Sequence, residues 1–348
     1  MADHRILVRA TNWIGDCVMS LPALREIRQL FPDHRLTLLA RPWVAGLYKG
    51  QCLVDEILLL EEGQSSFRRV REMRHKLRVF EGAVLFQNAF EAALMVYLAR
   101  IPERIGYSTE GRGLFLTRHA HPRIKDSHRH QVFYYLDLLY QTRLSPVDYL
   151  NCRTFRPDIR LNPTEEGLAQ AKTLLEQNNV DSSRPLVGLN PGAYYGPTKR
   201  WFTDRYASLA DRLVRDQDAN VIIIGHSGEL KIAEEIQANM RFSPAILSGQ
   251  TDLSTLIALI SLCRLFISND SGPMHLAAAL SVPQIALFGS TDDRATGPFD
   301  PRSVVIHKHV ECSPCLLREC PIDLRCFSRI EVEEVYETAC RLLSGCRL

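Results

Sequence analysis

Short apolar runs alternate with longer amphipathic stretches along most of the chain. In the first half, runs at residues 5–9, 36–40, 56–60 and 82–87 are rich in branched and other apolar side chains, which predicts strands. The segments between them are long enough for helices, and residues 18–28 show helical spacing of apolar positions. Strands that alternate with helices predict a parallel, doubly wound sheet.

The alternation restarts after a stretch rich in Pro, Asn, Asp and Ser between about residues 150 and 184, which surrounds one helical segment at 165–177. Five further apolar runs predict strands at residues 186–190, 221–225, 245–247, 265–268 and 284–288. We therefore predict two α/β domains, residues 1–165 and 166–348, each with a doubly wound parallel sheet. An amphipathic helix is expected at 330–346, and such a helix can cross back to the first domain.

The amino-acid composition limits the class of protein to which this chain can belong. With 348 residues, 46% hydrophobic and 24% charged, the chain is typical of a globular protein with a sizeable core. The 42 Lys and Arg nearly balance the 40 Asp and Glu, so no global field attracts nucleic acid or lipid, and an anionic partner must meet local charge. Residues 1–30 lack a signal-peptide pattern and no apolar run is long enough to span a membrane, so we expect a cytoplasmic protein.

Ligands of open parallel sheets bind beyond the carboxyl ends of the strands, so the strand-to-helix loops are the candidate sites. In the loop at residues 11–16, Asp16 is the only carboxylate and precedes a predicted helix. It is interpreted either as the N-cap of that helix or as a general base that projects from the loop.

The loop at residues 191–201 contains Gly192, Gly196 and two prolines, and it ends in Lys199 and Arg200 at the start of a helix. Two adjacent cations are unfavourable at a helix N-terminus unless they face an anion. The alternative is a solvated pair beside a Trp. The Gly-Lys-Ser/Thr order of a Walker loop is absent.

The strongest signal for an anion lies at residues 269–275. Pro273 suits a first helical turn, and Ser271 and Gly272 leave free amides at the helix N-terminus, where the helix dipole favours negative charge. His275 is interpreted either as a phosphate donor or as a packed histidine. We expect a diphosphate-bearing ligand at this turn.

Two further strand-to-helix loops carry weaker signals for ligand binding. Residues 225–229 form a Gly-rich turn in which Glu229 either accepts hydrogen bonds from ribose hydroxyls or is a favourable acid in a first helical turn. Residues 289–293 add hydroxyls after the next strand and complete the same predicted pocket.

A basic amphipathic helix is predicted at residues 67–80, with six Lys and Arg against one acid. The interpretations are a solvated face on a core helix, or contact with an anionic acceptor or a membrane surface. Arg68, Arg71 and Arg74 are the candidate acceptor contacts.

Four of the ten cysteines, Cys312, Cys315, Cys320 and Cys326, form a C-x2-C-x4-C-x5-C pattern. Reduced cysteines in an irregular turn are the default interpretation, and a structural zinc or iron–sulfur site is the alternative. The others are interpreted as packing residues: Cys17, Cys52, Cys152, Cys263, Cys340 and Cys346.

Five motifs in fixed order carry a resemblance over almost the whole chain; they lie at residues 12–16 (Asn-Trp-Ile-Gly-Asp), 20–24 (Ser-Leu-Pro-Ala-Leu), 190–193 (Asn-Pro-Gly-Ala), 199–201 (Lys-Arg-Trp) and 269–275 (Asn-Asp-Ser-Gly-Pro-Met-His). Together they resemble glycosyltransferase family 9, the heptosyltransferases of lipopolysaccharide inner-core synthesis. The resemblance implies a GT-B fold, two Rossmann-like domains facing a central cleft, with the acceptor on the first and an ADP-sugar on the second.

The resemblance also implies residue roles. Asp16 matches the catalytic base, Lys199 a lysine that holds donor phosphate, Glu229 a ribose-binding acid, and Thr251 lies near the adenine contact. The sugar- and phosphate-binding turn matches Asp270, Ser271, Gly272 and His275, and the remaining donor-site candidates within these motifs are Gly192, Arg200 and Pro273.

The implied reaction is an inverting transfer of L-glycero-D-manno-heptose from ADP-heptose to the heptose of heptosyl-Kdo2-lipid A, at the cytoplasmic face of the inner membrane. No metal or other cofactor is expected, and no nucleic acid partner. The form of the motif at residues 12–16 favours the member that adds the second heptose. The rivals are another heptose-adding member such as heptosyltransferase I, a sugar-nucleotide epimerase on the same scaffold, and a non-catalytic sugar-nucleotide-binding protein.

Overall fold

The computed structural model describes residues 4–61, 66–123, 129–152 and 154–345, and of these the side chains of residues 66, 67 and 69 are not described. Cys346 and the end of the predicted terminal helix lie outside this part. The chain divides into two compact units, Met1–Ile159 and Arg160–Leu348, with the division six residues before the boundary predicted from sequence.

The first unit holds one parallel sheet in the order β3-β2-β1-β4-β5-β6. Its strands are β1 (Arg5–Arg9), β2 (Arg35–Ala40), β3 (Glu56–Leu59), β4 (Gly82–Leu85), β5 (Glu103–Tyr107) and β6 (Arg118–Ala120). Its helices are α1 (Ile14–Leu30), α2 (Pro42–Ala45), α3 (Ser66–Leu77), α4 (Phe90–Leu98) and α5 (Val132–Gln141).

The second unit repeats this arrangement, with the parallel order β12-β11-β10-β7-β8-β9. Its strands are β7 (Leu186–Asn190), β8 (Asn220–Ile223), β9 (Ala245–Ile246), β10 (Leu265–Asn269), β11 (Gln284–Phe288) and β12 (Ser303–His307). Its helices are α6 (Glu165–Gln177), α7 (Thr203–Gln217), α8 (Leu230–Ala238), α9 (Leu253–Ser261), α10 (Gly272–Ala279), α11 (Asp293–Thr296), α12 (Arg325–Ser328) and α13 (Val332–Leu343).

The doubly wound α/β architecture predicted from sequence is confirmed in both units. Each strand predicted from an apolar run is present, whereas β5, β6 and β12 were not predicted. Those three lie at or beside a sheet edge. In β5 and β6, charged or polar residues at 103, 104, 118 and 119 interrupt the apolar pattern. Strands at the centre are different: β7, β10 and β11 are buried at every residue, which explains their continuous apolar runs.

Two helices show how the surface is built. Helix α3 buries Val70, Met73 and Leu77, whereas Arg71 and Arg74 are exposed. The terminal helix α13 buries Val335 and Ala339 in the core of the second unit. Its predicted return to the first unit stays a prediction. Within the described residues no helix is both long and apolar enough to cross a membrane.

A strand glycine provides a test of core packing. The register pairs Gly188 with Phe266, and a Cβ at Gly188 would lie 2.8 Å from the Phe266 ring. We expect Gly188→Ala to lower the free energy of unfolding by about 1–3 kcal/mol, because overpacking a filled core strains its neighbours. The measurement is urea denaturation. The control is Gly82→Ala in β4, where the nearest atom to the new Cβ is 3.7 Å away; equal losses in both variants would contradict the packing argument.

Candidate functional site

In each unit the sheet order reverses between two neighbouring central strands, β1 and β4 in the first unit and β7 and β10 in the second. Loops that leave such a pair at the carboxyl ends diverge to opposite faces of the sheet and open a crevice for a ligand. Asp16 follows β1, Lys199 follows β7, and Asp270 follows β10. The main sequence candidates therefore lie at the two switch points.

Asp16 is the third residue of α1, whose N-cap is Trp13, so the N-cap interpretation of Asp16 is wrong. Its partly exposed carboxylate accepts a hydrogen bond from the Tyr135 hydroxyl on α5, with 3.0 Å between the two oxygens. Burial raises the pKa of the Asp16 carboxyl above its ordinary value, and the Tyr135 hydrogen bond opposes part of that rise. A carboxylate in this setting is a stronger base than one in water.

Two buried arginines hold the loops beside Asp16. Arg9 donates to the carbonyl of Ala10 at 2.6 Å and to Oδ1 of Asn12 at 2.8 Å, which fixes the loop after β1. Arg112 donates to Oδ1 of Asn88 at 2.8 Å and so fixes the loop after β4. Burial lowers the pKa of each guanidinium to about 10, which still leaves it charged at neutral pH.

Neither arginine was identified from sequence. Arg9 ends a strand whose three middle residues are apolar, which is a weak signal. Arg112 follows Glu110 and Gly111 in a turn that gives no indication of its burial. Tyr135 also lacked a signal, because its contact with Asp16 joins residues 119 positions apart.

Two buried asparagines do the equivalent work in the second unit. Asn269 accepts from the Trp201 backbone N–H at 3.1 Å and donates to the Pro191 carbonyl at 2.7 Å. Asn190 donates to Oγ of Ser271 at 2.9 Å. These bonds connect the loop after β7 to the turn after β10, so three of the sequence motifs meet at one place.

The charged centre of that place is a pair between Lys199 and Asp270. The Lys199 ammonium donates to Oδ2 of Asp270 at 2.5 Å, and the Thr291 hydroxyl donates to the same oxygen at 2.6 Å. The side chains are 15% and 6% exposed for Lys199 and Asp270, so the pair is largely shielded from water. The ammonium has three donor hydrogens, and this bond uses one of them.

Helix α10 begins directly after this pair. Its N-cap is Ser271, whose side chain makes no cap hydrogen bond to the helix, and Pro273 lies in the first turn. The amides of a first helical turn attract an anion. His275 lies on the same turn and is buried, 6% exposed.

Glu229 lies against the loop after β7. A Cβ on Gly192 would come within 2.1 Å of the Glu229 carboxyl carbon, so any other residue here would displace the carboxylate. The carboxylate also accepts from the His226 backbone N–H at 2.9 Å and caps the short turn that it belongs to. The structure thus shows the local role of Glu229 and leaves it partly exposed.

The remaining candidate site residues predicted from sequence are not part of the Lys199–Asp270 pair or of the contact between Asp16 and Tyr135. Arg200 donates from two nitrogens to the Ala193 carbonyl, at 2.9 and 3.3 Å, and shapes its own loop. Thr251 is half-buried in the loop after β9. On α3 of the first unit, the arginines proposed as acceptor contacts are exposed: Arg68, Arg71 and Arg74.

The four clustered cysteines are all free thiols. Among the described residues, the groups of side chains whose ligand atoms converge closely enough to hold a metal ion include none of these cysteines. Their segment packs on the loop after β7 instead: the Tyr195 hydroxyl donates to the Leu316 carbonyl at 2.6 Å, and the Thr198 hydroxyl to the Leu317 carbonyl at 2.5 Å.

Residues 70–325 match the family model described as glycosyltransferase family 9 (heptosyltransferase). The chain belongs to glycosyltransferase family 9. This family 9 enzyme is 31% identical to lipooligosaccharide heptosyltransferase 2 of Haemophilus ducreyi over 87% of its own length and 88% of the relative's. It is 30% identical to lipopolysaccharide heptosyltransferase 2 of Salmonella typhimurium, with 87% of each chain covered.

The solved structure of Escherichia coli ADP-heptose lps heptosyltransferase II aligns with this family 9 enzyme at a TM-score of 0.83 and 27% identity, over 98% of this chain and 99% of that one. The predicted GT-B fold class and the predicted enzyme class, a heptosyltransferase, are both confirmed.

Removal of the Lys199 cation tests the buried pair. We expect Lys199→Met to lower the free energy of unfolding by about 3–5 kcal/mol, because the Asp270 carboxylate is left buried and uncompensated. The double variant Lys199→Met/Asp270→Asn removes that charge and should recover most of the loss. Guanidinium denaturation of both variants is the measurement, and a double variant no more stable than the single one would contradict the pairing.

Proposed function

We propose that this enzyme transfers L-glycero-D-manno-heptose from ADP-heptose to the heptose of heptosyl-Kdo2-lipid A, with inversion at the anomeric carbon. The observation that carries the proposal is the partly exposed Asp16 carboxylate, whose pKa is raised by burial, at the first switch point. The heptosyltransferase 2 relatives support this choice of reaction, and the similar ADP-heptose lps heptosyltransferase II of Escherichia coli supports this choice of donor.

Asp16 acts as the general base in this proposal. The acceptor hydroxyl gives its proton to the carboxylate as its oxygen attacks the anomeric carbon, and the bond from that carbon to the ADP oxygen breaks with its electron pair leaving on ADP. Tyr135 holds Oδ1, which fixes the orientation of the carboxylate before the acceptor binds.

The second switch point stabilises the leaving group. Lys199 and the first amides of α10 offset the negative charge that develops on the diphosphate of ADP. Asp270 holds the ammonium in place without using its other donor hydrogens, so Lys199 is preorganised. We assign Glu229 to the ribose hydroxyls and Thr251 to the adenine. These fixed groups do the electrostatic work, and no metal ion takes part in the step.

The acceptor is lipid-linked, and we propose that the enzyme works as a peripheral protein at the cytoplasmic face of the inner membrane. The exposed face of α3 supports this: Arg68, Arg71 and Arg74 are exposed, and Arg68 pairs with Glu72 of the same helix. Cationic helix faces attract anionic head groups and phosphorylated sugars.

A series of acceptors tests the function. Purified enzyme is given ADP-heptose in Mg²⁺-free buffer with acceptors that end in Kdo, in one heptose or in two heptoses, and the products are identified by mass spectrometry. We expect transfer to the acceptor with one heptose. Preference for Kdo or for two heptoses would identify another heptosyltransferase, and conversion of ADP-heptose without acceptor would identify an epimerase.

Asp16→Asn separates catalysis from binding. We expect the transfer rate to fall by about 10²- to 10⁴-fold, the usual contribution of a general base. ADP affinity, measured by calorimetry, should be unchanged, because Asp16 belongs to the first unit and the proposed ADP contacts to the second. Near-normal turnover would refute the assignment.

The pH dependence provides a separate test. The base must be deprotonated, so the rate falls as the pH drops through the pKa of Asp16, which burial places above the ordinary value. The Tyr135 hydrogen bond lowers that pKa, so Tyr135→Phe should move the acidic limb of kcat/KM to higher pH. Tyr140→Phe on the same helix is the control. An acidic limb that stays in place would show that Asp16 does not control it.

A further inference from the structure

A second cluster of polar side chains lies after β11 and β12 and takes no part in the proposed reaction. Asp293 begins α11, His307 ends β12, and His309 follows it. One ligand atom from each of the three lies within 4.8 Å of the other two. The His307 side chain is only 2% exposed and that of Asp293 is 19% exposed, whereas His309 is exposed.

The hydrogen bonds of His307 show which of its ring nitrogens carries a proton. The Ser313 hydroxyl has one hydrogen and lies 2.5 Å from the Gly289 carbonyl, which can only accept. The His307 Nε2 therefore donates to Ser313 Oγ, at 2.8 Å. On the other side of the ring, Nδ1 lies 2.7 Å from Oδ1 of Asp293, which also accepts when ionised.

Both ring nitrogens of His307 thus face acceptors. A neutral imidazole has one N–H, so beside an ionised Asp293 either the ring carries a second proton or a metal cation binds both Nδ1 and the carboxylate. Histidines that bind metal characteristically donate the other ring N–H to a carbonyl or hydroxyl, which fixes the tautomer. The ring centroid of His309 lies 4.1 Å from that of His307. His309 therefore supplies a third ligand, which favours a metal ion over a second proton.

We propose that Asp293, His307 and His309 bind one divalent metal ion of the class that prefers imidazole and carboxylate ligands, such as Zn²⁺. Ligand atoms at 2.0–2.2 Å in a tetrahedral site lie about 3.4 Å apart. The most distant pair must therefore close by about 1.4 Å at most, and rotation of the exposed His309 side chain provides this movement. Nδ1 of His307 and Oδ1 of Asp293, which lie 2.7 Å apart, must open by about 0.7 Å to admit the ion.

The ion would hold together three segments of the second unit. Asp293 lies two residues after Thr291, whose hydroxyl bonds to Asp270. Ser313 lies in the cysteine-rich segment that packs on the loop carrying Lys199. The site is structural, and no step of heptosyl transfer uses it.

The test is metal binding by the full-length, untagged enzyme. After treatment with chelator, Zn²⁺ is titrated by calorimetry and the bound metal counted by elemental analysis; we expect one ion per chain. His309→Ala, which removes an exposed ligand, and Ser313→Ala, which removes the partner of Nε2, should each weaken binding by roughly tenfold or more. The control is His4→Ala, in the more exposed group His4, His34 and Glu81, and it should leave the affinity unchanged.

Cobalt substitution distinguishes this site from the cysteines. Bound Co²⁺ should show weak visible bands without the intense thiolate-to-metal absorption, and Cys312→Ser/Cys315→Ser should not change them. Thiolate absorption that disappears in the cysteine variant, or loss of binding in His4→Ala alone, would overturn the proposal. So would an absence of binding together with nitrogen NMR that shows His307 protonated on both ring nitrogens.

Discussion

The structure depends on how the backbone is satisfied at the two switch points. Where two central strands send their loops in opposite directions, carbonyl and amide groups at the strand ends lose their sheet partners and still lie in the interior. In the first unit Arg9 donates to the Ala10 carbonyl after β1 and Arg112 donates to the Gln87 carbonyl after β4. Asn190 and Asn269 make the corresponding bonds in the second unit. Without these side chains, buried polar groups would each cost about 1–3 kcal/mol.

The same bonds orient the reactive groups. Arg9 fixes the loop that leads into α1, and Asp16 then lies in the first turn of that helix, where Tyr135 holds it. Asn269 fixes the loop that ends in Lys199, which meets Asp270. The supporting residues are neutral amides in the second unit. In the first unit they are guanidinium groups whose hydrogen bonds go to carbonyl and amide oxygens.

The reactive groups of the two units have opposite charge. The first carries a carboxylate whose pKa is raised because burial disfavours its charge, which suits proton removal. The second carries a shielded ammonium and the N-terminus of α10, which suit a departing diphosphate. The metal ion that we propose at Asp293, His307 and His309 would stiffen the loops of the second unit without entering the reaction.

The alternation of strands and helices could be predicted from the sequence, because buried parallel strands are continuous apolar runs. The motifs around Asp16, Lys199 and Asp270 could be identified too, because glycine, proline and charged residues in a loop form a local pattern. Only the tertiary structure decided that Asp16 lies inside α1, that Tyr135 bonds it, and that Lys199 pairs with Asp270. The buried roles of Arg9 and Arg112 and the group around His307 likewise appeared only in the fold. The physical reason is that a pKa, an ion pair or a metal site depends on distances between residues far apart in the chain, and local pattern carries no information about those distances.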